Sequence, residues 1–194
     1  GNIYTLTDNI YDSIYDAVVV EKDDILINGA GYTIQGTSIT GGRGISLSGR
    51  DNVTISNVQI KNFFSGIYLY LSTDCCISEN DLKNNNCGLE LAASSNCTIL
   101  GNNITANELA GLDLSGSFNN SVVGNIISDN DEIGIFFTGL YTVSFSSLSY
   151  GNRITSNEIA RNTYGVKLGS RCFNNSLVVN RIIGNDYGVW VANE

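Results

Sequence analysis

Residues 88–107 read Gly-Leu-Glu-Leu-Ala-Ala-Ser-Ser-Asn-Cys-Thr-Ile-Leu-Gly-Asn-Asn-Ile-Thr-Ala-Asn. Leu89 and Leu91 flank Glu90, which is the apolar–polar alternation of a strand. A Ser/Asn turn follows, then Cys97-Thr98-Ile99, a second short alternating piece. Gly101-Asn102-Asn103 breaks the chain again, Ile104 is apolar, and Asn107 closes the turn. The unit holds about three strands of roughly 3–5 residues, too short for ordinary helices. A shift of 23 residues puts Val122, Asn125, Ile127 and Asn130 at the places of Ile99, Asn102, Ile104 and Asn107. A shift of 22 in the other direction gives Ile77, Asn80, Leu82 and Asn85.

The same step runs through the whole chain. Gly44, Gly66, Gly88, Gly111, Gly134, Gly165 and Gly188 are separated by 22, 22, 23, 23, 31 and 23 residues. Each is followed by an apolar pair with one residue between, from Ile45/Leu47 to Val189/Val191. A fixed period of this size marks a solenoid, whose repeats cover one another's apolar faces. Like residues then stack on like. Asparagine at each turn predicts amide ladders and tolerates left-handed backbone. The long step from Gly134 to Gly165 exceeds its neighbours by 31 − 23 = 8 residues, and the excess falls at about 138–151. Tyr141, Phe145 and Tyr150 in this insertion are expected to pack back on the coil. The expected fold is all-β: a right-handed single-stranded parallel β-helix of about eight coils, 22–23 residues each. One domain is expected over 1–194, with 1–41 as N-terminal cap and entry coil and 42–194 as repeat coils.

Composition narrows the chemistry. The net charge is −9, which repels phosphate backbones and argues against nucleic acid as a partner. No apolar run approaches the ~20 residues of a membrane span. Histidine is absent, so Ser-His and Cys-His nucleophile systems and histidine metal sites are excluded. Five cysteines occur, Cys75, Cys76, Cys87, Cys97 and Cys172, without Cys-x-x-Cys spacing. No metal site is expected. Cys75 and Cys97 share a column with Val53. Coils ~4.8 Å apart put them within disulfide reach, although an inward stack of free thiols behaving as small hydrophobes is the favoured reading of the column.

Chemistry has one natural location, the outward column of the strand after each glycine: Ser46, Tyr68, Glu90, Asp113, Phe136, Lys167 and Trp190. A second outward column holds Ser48, Tyr70, Ala92 and Ser115. Glu90 and Asp113 are the candidate catalytic residues. On consecutive coils they lie ~5 Å apart at the backbone, close enough to share a proton or a cation such as Ca2+. In glycoside hydrolysis a pair at ~5–5.5 Å suits retention. Tyr68, Tyr70 and Phe136 add stacking surface for sugar rings, so the candidate ligand face is Tyr68, Tyr70, Glu90, Asp113 and Phe136. No cofactor is required. Asn52, Asn96, Asn103, Asn119 and Asn174 begin Asn-x-Ser/Thr sequons and are candidate glycan acceptors in a secreted protein.

The N-terminal phrases Tyr4-Thr5-Leu6-Thr7-Asp8-Asn9-Ile10 and Asp24-Ile25-Leu26-Ile27-Asn28-Gly29-Ala30-Gly31-Tyr32-Thr33-Ile34-Gln35-Gly36 extend the pattern. Together with the glycine period they resemble the NosD-type carbohydrate-binding and sugar-hydrolase domains, over nearly the whole chain. The resemblance implies relatives among periplasmic maturation factors, surface-layer-associated proteins, and polysaccharide lyases, hydrolases and epimerases. It also implies a secreted, extracellular or cell-surface location. Lacking histidine and methionine, the chain has only cysteine for a copper role.

Parallel coils leave unpaired backbone groups at each end. Residues 1–24 are expected to fold over the first coil, whereas 188–194 offer no cap. Head-to-tail stacking of copies follows as an expectation. The leading functional expectation is a non-catalytic cell-surface structural or assembly protein whose partner is itself or a cell-surface polysaccharide. The alternatives are a carbohydrate-binding module, or a polysaccharide lyase, hydrolase or epimerase using Glu90 and Asp113.

Overall fold

A computed structural model describes residues 1–141 and 146–192, apart from the side chains of Tyr141 and Ser146. Its backbone winds through three eight-stranded sheets, and every neighbouring pair in them is parallel and one turn apart in sequence. The result is a right-handed parallel β-helix of eight coils, the hand that parallel crossovers adopt. Each coil contributes one strand to each sheet in turn, called here A, B and C. The fourth coil, for instance, runs Cys76–Ser78, Asp81–Lys83 and Cys87–Ala92, and the fifth Thr98–Leu100, Asn103–Thr105 and Ala110–Asp113.

Inward columns fill the bore. Ile55, Ile77, Ile99, Val122 and Ile154 stack in sheet A, and Ile34, Ile60, Leu82, Ile104, Ile127 and Ile159 in sheet B. All of these side chains are buried. Corners are held by polar ladders. Asn80, Asn102, Asn125, Asn157 and Asn180 form one, and Asn85, Asn107, Asn130, Asn162 and Asn185 the next. In each step an Oδ1 accepts the backbone N–H and the Nδ2–H of the asparagine one coil earlier, while its own Nδ2 donates to a carbonyl of that earlier coil. This satisfies corner amides that no strand can reach.

The repeated glycines serve close approach rather than unusual φ. A Cβ on Gly88 would lie 2.5 Å from Ile104 Cγ2, 2.8 Å from the Gly111 carbonyl and 2.9 Å from Asn107 Nδ2. The left-handed positions sit elsewhere, in the residue just outside each corner, such as Asn52, Asp74, Asn96, Asn119 and Asn174.

Residues 2–20 differ from expectation. They do not fold over the first coil but build it, as strands Asn2–Thr5, Ile10–Ser13 and Val18–Val20 paired with the second coil. The backbone edge of the second coil is open to them, and all three strands pair with it. Both end coils expose apolar side chains, among them Ile3 and Tyr4 in the first and Val189 and Val191 in the eighth. The segment around 138–151 carries a short antiparallel hairpin, Leu140–Tyr141 with Ser146–Ser147. It lies on the fifth coil: Ser147 Oγ donates to the Gly116 carbonyl at 2.6 Å, and Ser149 Oγ to Leu114 at 2.6 Å. Tyr150 stacks between Phe118 and Phe173 at 5.0 and 5.2 Å. Phe145 and the Tyr141 side chain lie outside the described residues.

Candidate functional site

Sheet C has the longest strands, up to six residues against mostly three in sheets A and B over the central coils, and so presents the broadest outer face. Strict register aligns Ser46, Tyr68, Glu90, Asp113, Phe136, Lys167 and Trp190 on successive coils. Ser48, Tyr70 and Ala92 align beside them. All five candidate ligand residues therefore lie on one surface.

Each carboxylate is held by a serine. Ser65 Oγ donates to Glu90 Oε2 at 2.6 Å, and Ser115 Oγ to Asp113 Oδ1 at 2.5 Å. Burial pushes the Asp113 carboxyl up to about 7, with Glu90 adding to the rise and the Ser115 hydrogen bond opposing it. The burial has a local cause. Cys87, Ala110 and Ile133 form a small buried cluster separate from the bore, and Phe136 and Tyr164 pack against it. Sheet C is thus apolar on part of its outer side too. The Cys87 thiol is raised well above its usual range by that burial, and next by Asp113.

Aromatic and cationic groups flank the pair. On one side the Arg43 guanidinium lies 4.0 Å over the Tyr68 ring, and Tyr68 and Tyr70 run parallel at 6.4 Å. Burial raises the Tyr68 hydroxyl, with Glu90 next in effect and Arg43 opposing. On the other side the Lys167 ammonium sits 4.7 Å over Tyr164 and 5.9 Å over Phe136. Tyr164 stacks on Tyr187 at 5.1 Å, and Trp190 meets both edge-on. Beyond Tyr68 the face deepens into an open groove of about 410 Å³, because its floor is made of small residues, Ser46 and Ser48, between Arg43, Arg50, Asp16 and Tyr68. Arg43 Nε is buried without a hydrogen-bond partner among the described residues.

Arg43, Ser65, Cys87, Tyr164 and Tyr187 were absent from the sequence-based site. They precede the repeated glycines, where simple alternation from Ile45 or Leu89 points inward. The register steps across Gly88 and Gly111 without pairing them as it does their neighbours, and the residue before the glycine turns to the outer face. Their regular spacing, one residue ahead of each glycine, was the available signal.

The sequon asparagines are all exposed. Asn52, Asn96, Asn119 and Asn174 lie in one corner row with φ between 53° and 57°. Asn103 begins a sheet B strand and donates to Asp81 at 3.0 Å. The row needs left-handed backbone whether or not glycans are attached, and asparagine suits it.

A parallel β-helix with carboxylates, tyrosines and cations ranked along one sheet defines the class of protein. Within it, the chain belongs to the NosD family, whose model, described as periplasmic copper-binding protein, matches residues 2–193. No curated protein matches the sequence. Similar solved structures include the A-module of Azotobacter vinelandii mannuronan C-5 epimerase AlgE4, with TM-score 0.79, 15% identity, and 100% of this chain on 56% of that one. A double mutant of the periplasmic alginate epimerase AlgG gives TM-score 0.70 and 19% identity over 92% of this chain and 47% of that one. The enzymatically active domain of bacteriophage CBA120 tailspike protein 2 gives 0.56 and 13%, over 92% and 38%. The chain thus spans about half the length of the solved structures it matches. At these identities the likeness concerns the fold.

The copper in the family description was tested against the side chains present. Histidine and methionine are absent, and among the described residues no three of His, Cys, Asp or Glu converge as a metal group. Cys75 and Cys97 neighbour one another, but both are 1% exposed inside the coil. A pair without a third donor or an entry path does not fit copper. No described helix is long and apolar enough to cross a membrane.

Proposed function

We propose that the protein is an extracytoplasmic, non-catalytic glycan-binding β-helix that holds a polysaccharide along the outer face of sheet C. One observation carries this reading: Tyr68, Glu90, Asp113, Phe136 and Lys167 follow one another on five consecutive coils and lead into the Arg43/Arg50 groove. Aromatic rings offer apolar surface to sugar faces, and carboxylates and guanidinium groups offer partners to hydroxyls. The similar structures, a mannuronan C-5 epimerase, a periplasmic alginate epimerase and a tailspike, support the same class of ligand. A glycan array followed by calorimetry tests it: binding should be lost or fall at least tenfold in Tyr68→Ala. An array without signal for the folded wild-type chain refutes it.

Asp113 favours a second reading. A carboxyl near neutrality beside a second carboxylate is the arrangement of an acid–base pair. In that reading Asp113 protonates the leaving oxygen of a glycan and Glu90 acts from the neighbouring coil. Product release by wild type that vanishes in Asp113→Asn would establish it. Binding without turnover leaves the face non-catalytic.

A further inference from the structure

We propose that Cys75 and Cys97 are the site of an intercoil disulfide that staples the fourth coil to the fifth, the two coils that carry Glu90 and Asp113.

The argument starts from the corner between sheets C and A. Its inward column reads Val53, Cys75, Cys97, Asn120, Asn152 and Asn175, one residue per coil. From the fifth coil onward this corner is tied by amides. Asn120 Oδ1 accepts the Cys97 backbone N–H at 2.9 Å, Asn152 Oδ1 accepts that of Asn120 at 3.0 Å, and Asn175 Oδ1 that of Asn152 at 3.0 Å. The ladder stops at Cys97. Cys75 would be the next member to be tied, and the residue opposite it on the fifth coil is a thiol instead of an amide. A covalent bond between the two would continue the same cross-coil tie by other means.

Geometry allows it. Cys76 pairs with Thr98, and the Thr98 N–H donates to the Cys75 carbonyl at 2.8 Å, so Cys75 and Cys97 stand in register on adjacent rungs. A rung spacing of ~4.8 Å falls within the Cα separations that disulfides span. Both thiols are buried and free. At present each Sγ donates to a carbonyl two residues earlier, Cys75 to Thr73 at 3.2 Å and Cys97 to Ser95 at 3.3 Å. These are weak donors, and a rotation about χ1 turns the sulfurs toward each other. The family description places its members in the periplasm, an oxidising compartment.

The chemistry is thiol–disulfide exchange with a protein or small-molecule disulfide as oxidant. One thiolate of the pair attacks the oxidant's S–S bond, forming a mixed disulfide and expelling one thiolate. The other cysteine, having lost its proton, attacks the bonded protein sulfur and expels the second. Two protein thiols lose two protons and two electrons, and the oxidant leaves as two thiols. Burial of both sulfurs in the finished coil places the exchange during folding, before the corner closes.

The test uses the whole chain exported to a bacterial periplasm and purified without reductant. It is unfolded in an alkylating agent, and its modified thiols are counted by intact mass before and after reduction. Three of the five cysteines should react before reduction and all five after it. Cys97→Ser and Cys75→Ser should each show the same count before and after reduction. Cys76→Ser should keep the reducible bond, which separates Cys75 from its sequence neighbour. Five reactive thiols in the unreduced wild type overturn the proposal, and so does a reducible bond that survives in Cys75→Ser. Because the count is made on unfolded chain, a variant that folds poorly still reports.

Discussion

Removal of the Asn102 side chain isolates the contribution of a corner amide. Asn102 Oδ1 accepts the Asn80 backbone N–H at 3.0 Å and Asn80 Nδ2 at 3.0 Å. Its Nδ2 donates to the Ile77 carbonyl at 2.8 Å and to Asn125 Oδ1 at 3.0 Å. In Asn102→Ala, Asn80 Nδ2 keeps the Ile55 carbonyl, and Asn125 Oδ1 keeps the Asn102 backbone N–H. The Ile77 carbonyl keeps the Leu100 N–H of the next coil, which the register of the two strands sets. One group is left without a partner, the Asn80 N–H, in a corner where the asparagines are buried. An orphaned buried group costs about 1–3 kcal/mol, so the variant should lose about 1–3 kcal/mol. Equilibrium unfolding in urea measures this as a lower midpoint at unchanged slope. The control is Asn103→Ala, one residue on, where the exposed side chain bonds only Asp81. Surface changes of this kind stay within about 0.5 kcal/mol. A loss below about 1 kcal/mol in Asn102→Ala, or equal losses in the two variants, would refute the view that the ladder satisfies groups the sheets cannot reach.

Further outcomes follow from the same geometry. Gly88→Ala drives a Cβ to 2.5 Å from Ile104 Cγ2 and should cost about 1–3 kcal/mol; Gly101→Ala meets open space at φ +63° and should cost about 1 kcal/mol, so reversal of that order would count against close approach. Asp113 is raised from 3.8 to about 7 in the fold, which favours its protonated form: stability is full below about pH 4 and falls as pH rises through about 7. Thermal unfolding across that window should show a decline of a few kcal/mol at most that Asp113→Asn flattens; a decline that survives the substitution assigns it to other groups. If Cys75 and Cys97 are joined, the bond closes a loop of about 22 residues, and reduction should lower stability by about 3 kcal/mol in wild type and by nothing in Cys97→Ser.

The order of apolar, glycine and asparagine columns was legible because a solenoid repeats one local solution. Each repeat meets only its neighbours, so period in sequence becomes position in space. The parallel sheets, the inward columns and the alignment of Tyr68, Glu90, Asp113 and Phe136 follow from that period alone. Other features depend on what a side chain meets across a turn, which a period does not contain. Residues 2–20 became a coil rather than a cap because sheet pairing with the second coil was open to them. The residue before the glycine turned outward where the glycine passes close to an inward isoleucine of the next coil, Ile60 at Gly44 and Ile104 at Gly88, so Arg43 came to rest on Tyr68 and Cys87 in the apolar patch with Ala110 and Ile133. Tertiary structure also decided the state of Asp113: the apolar patch of Cys87, Ala110 and Ile133 forms only when three coils stack, and desolvation lifts the Asp113 carboxyl toward neutrality. The sequence sets which groups share a face; the packing of neighbouring coils sets how much water each one keeps, and with it the proton that each one holds.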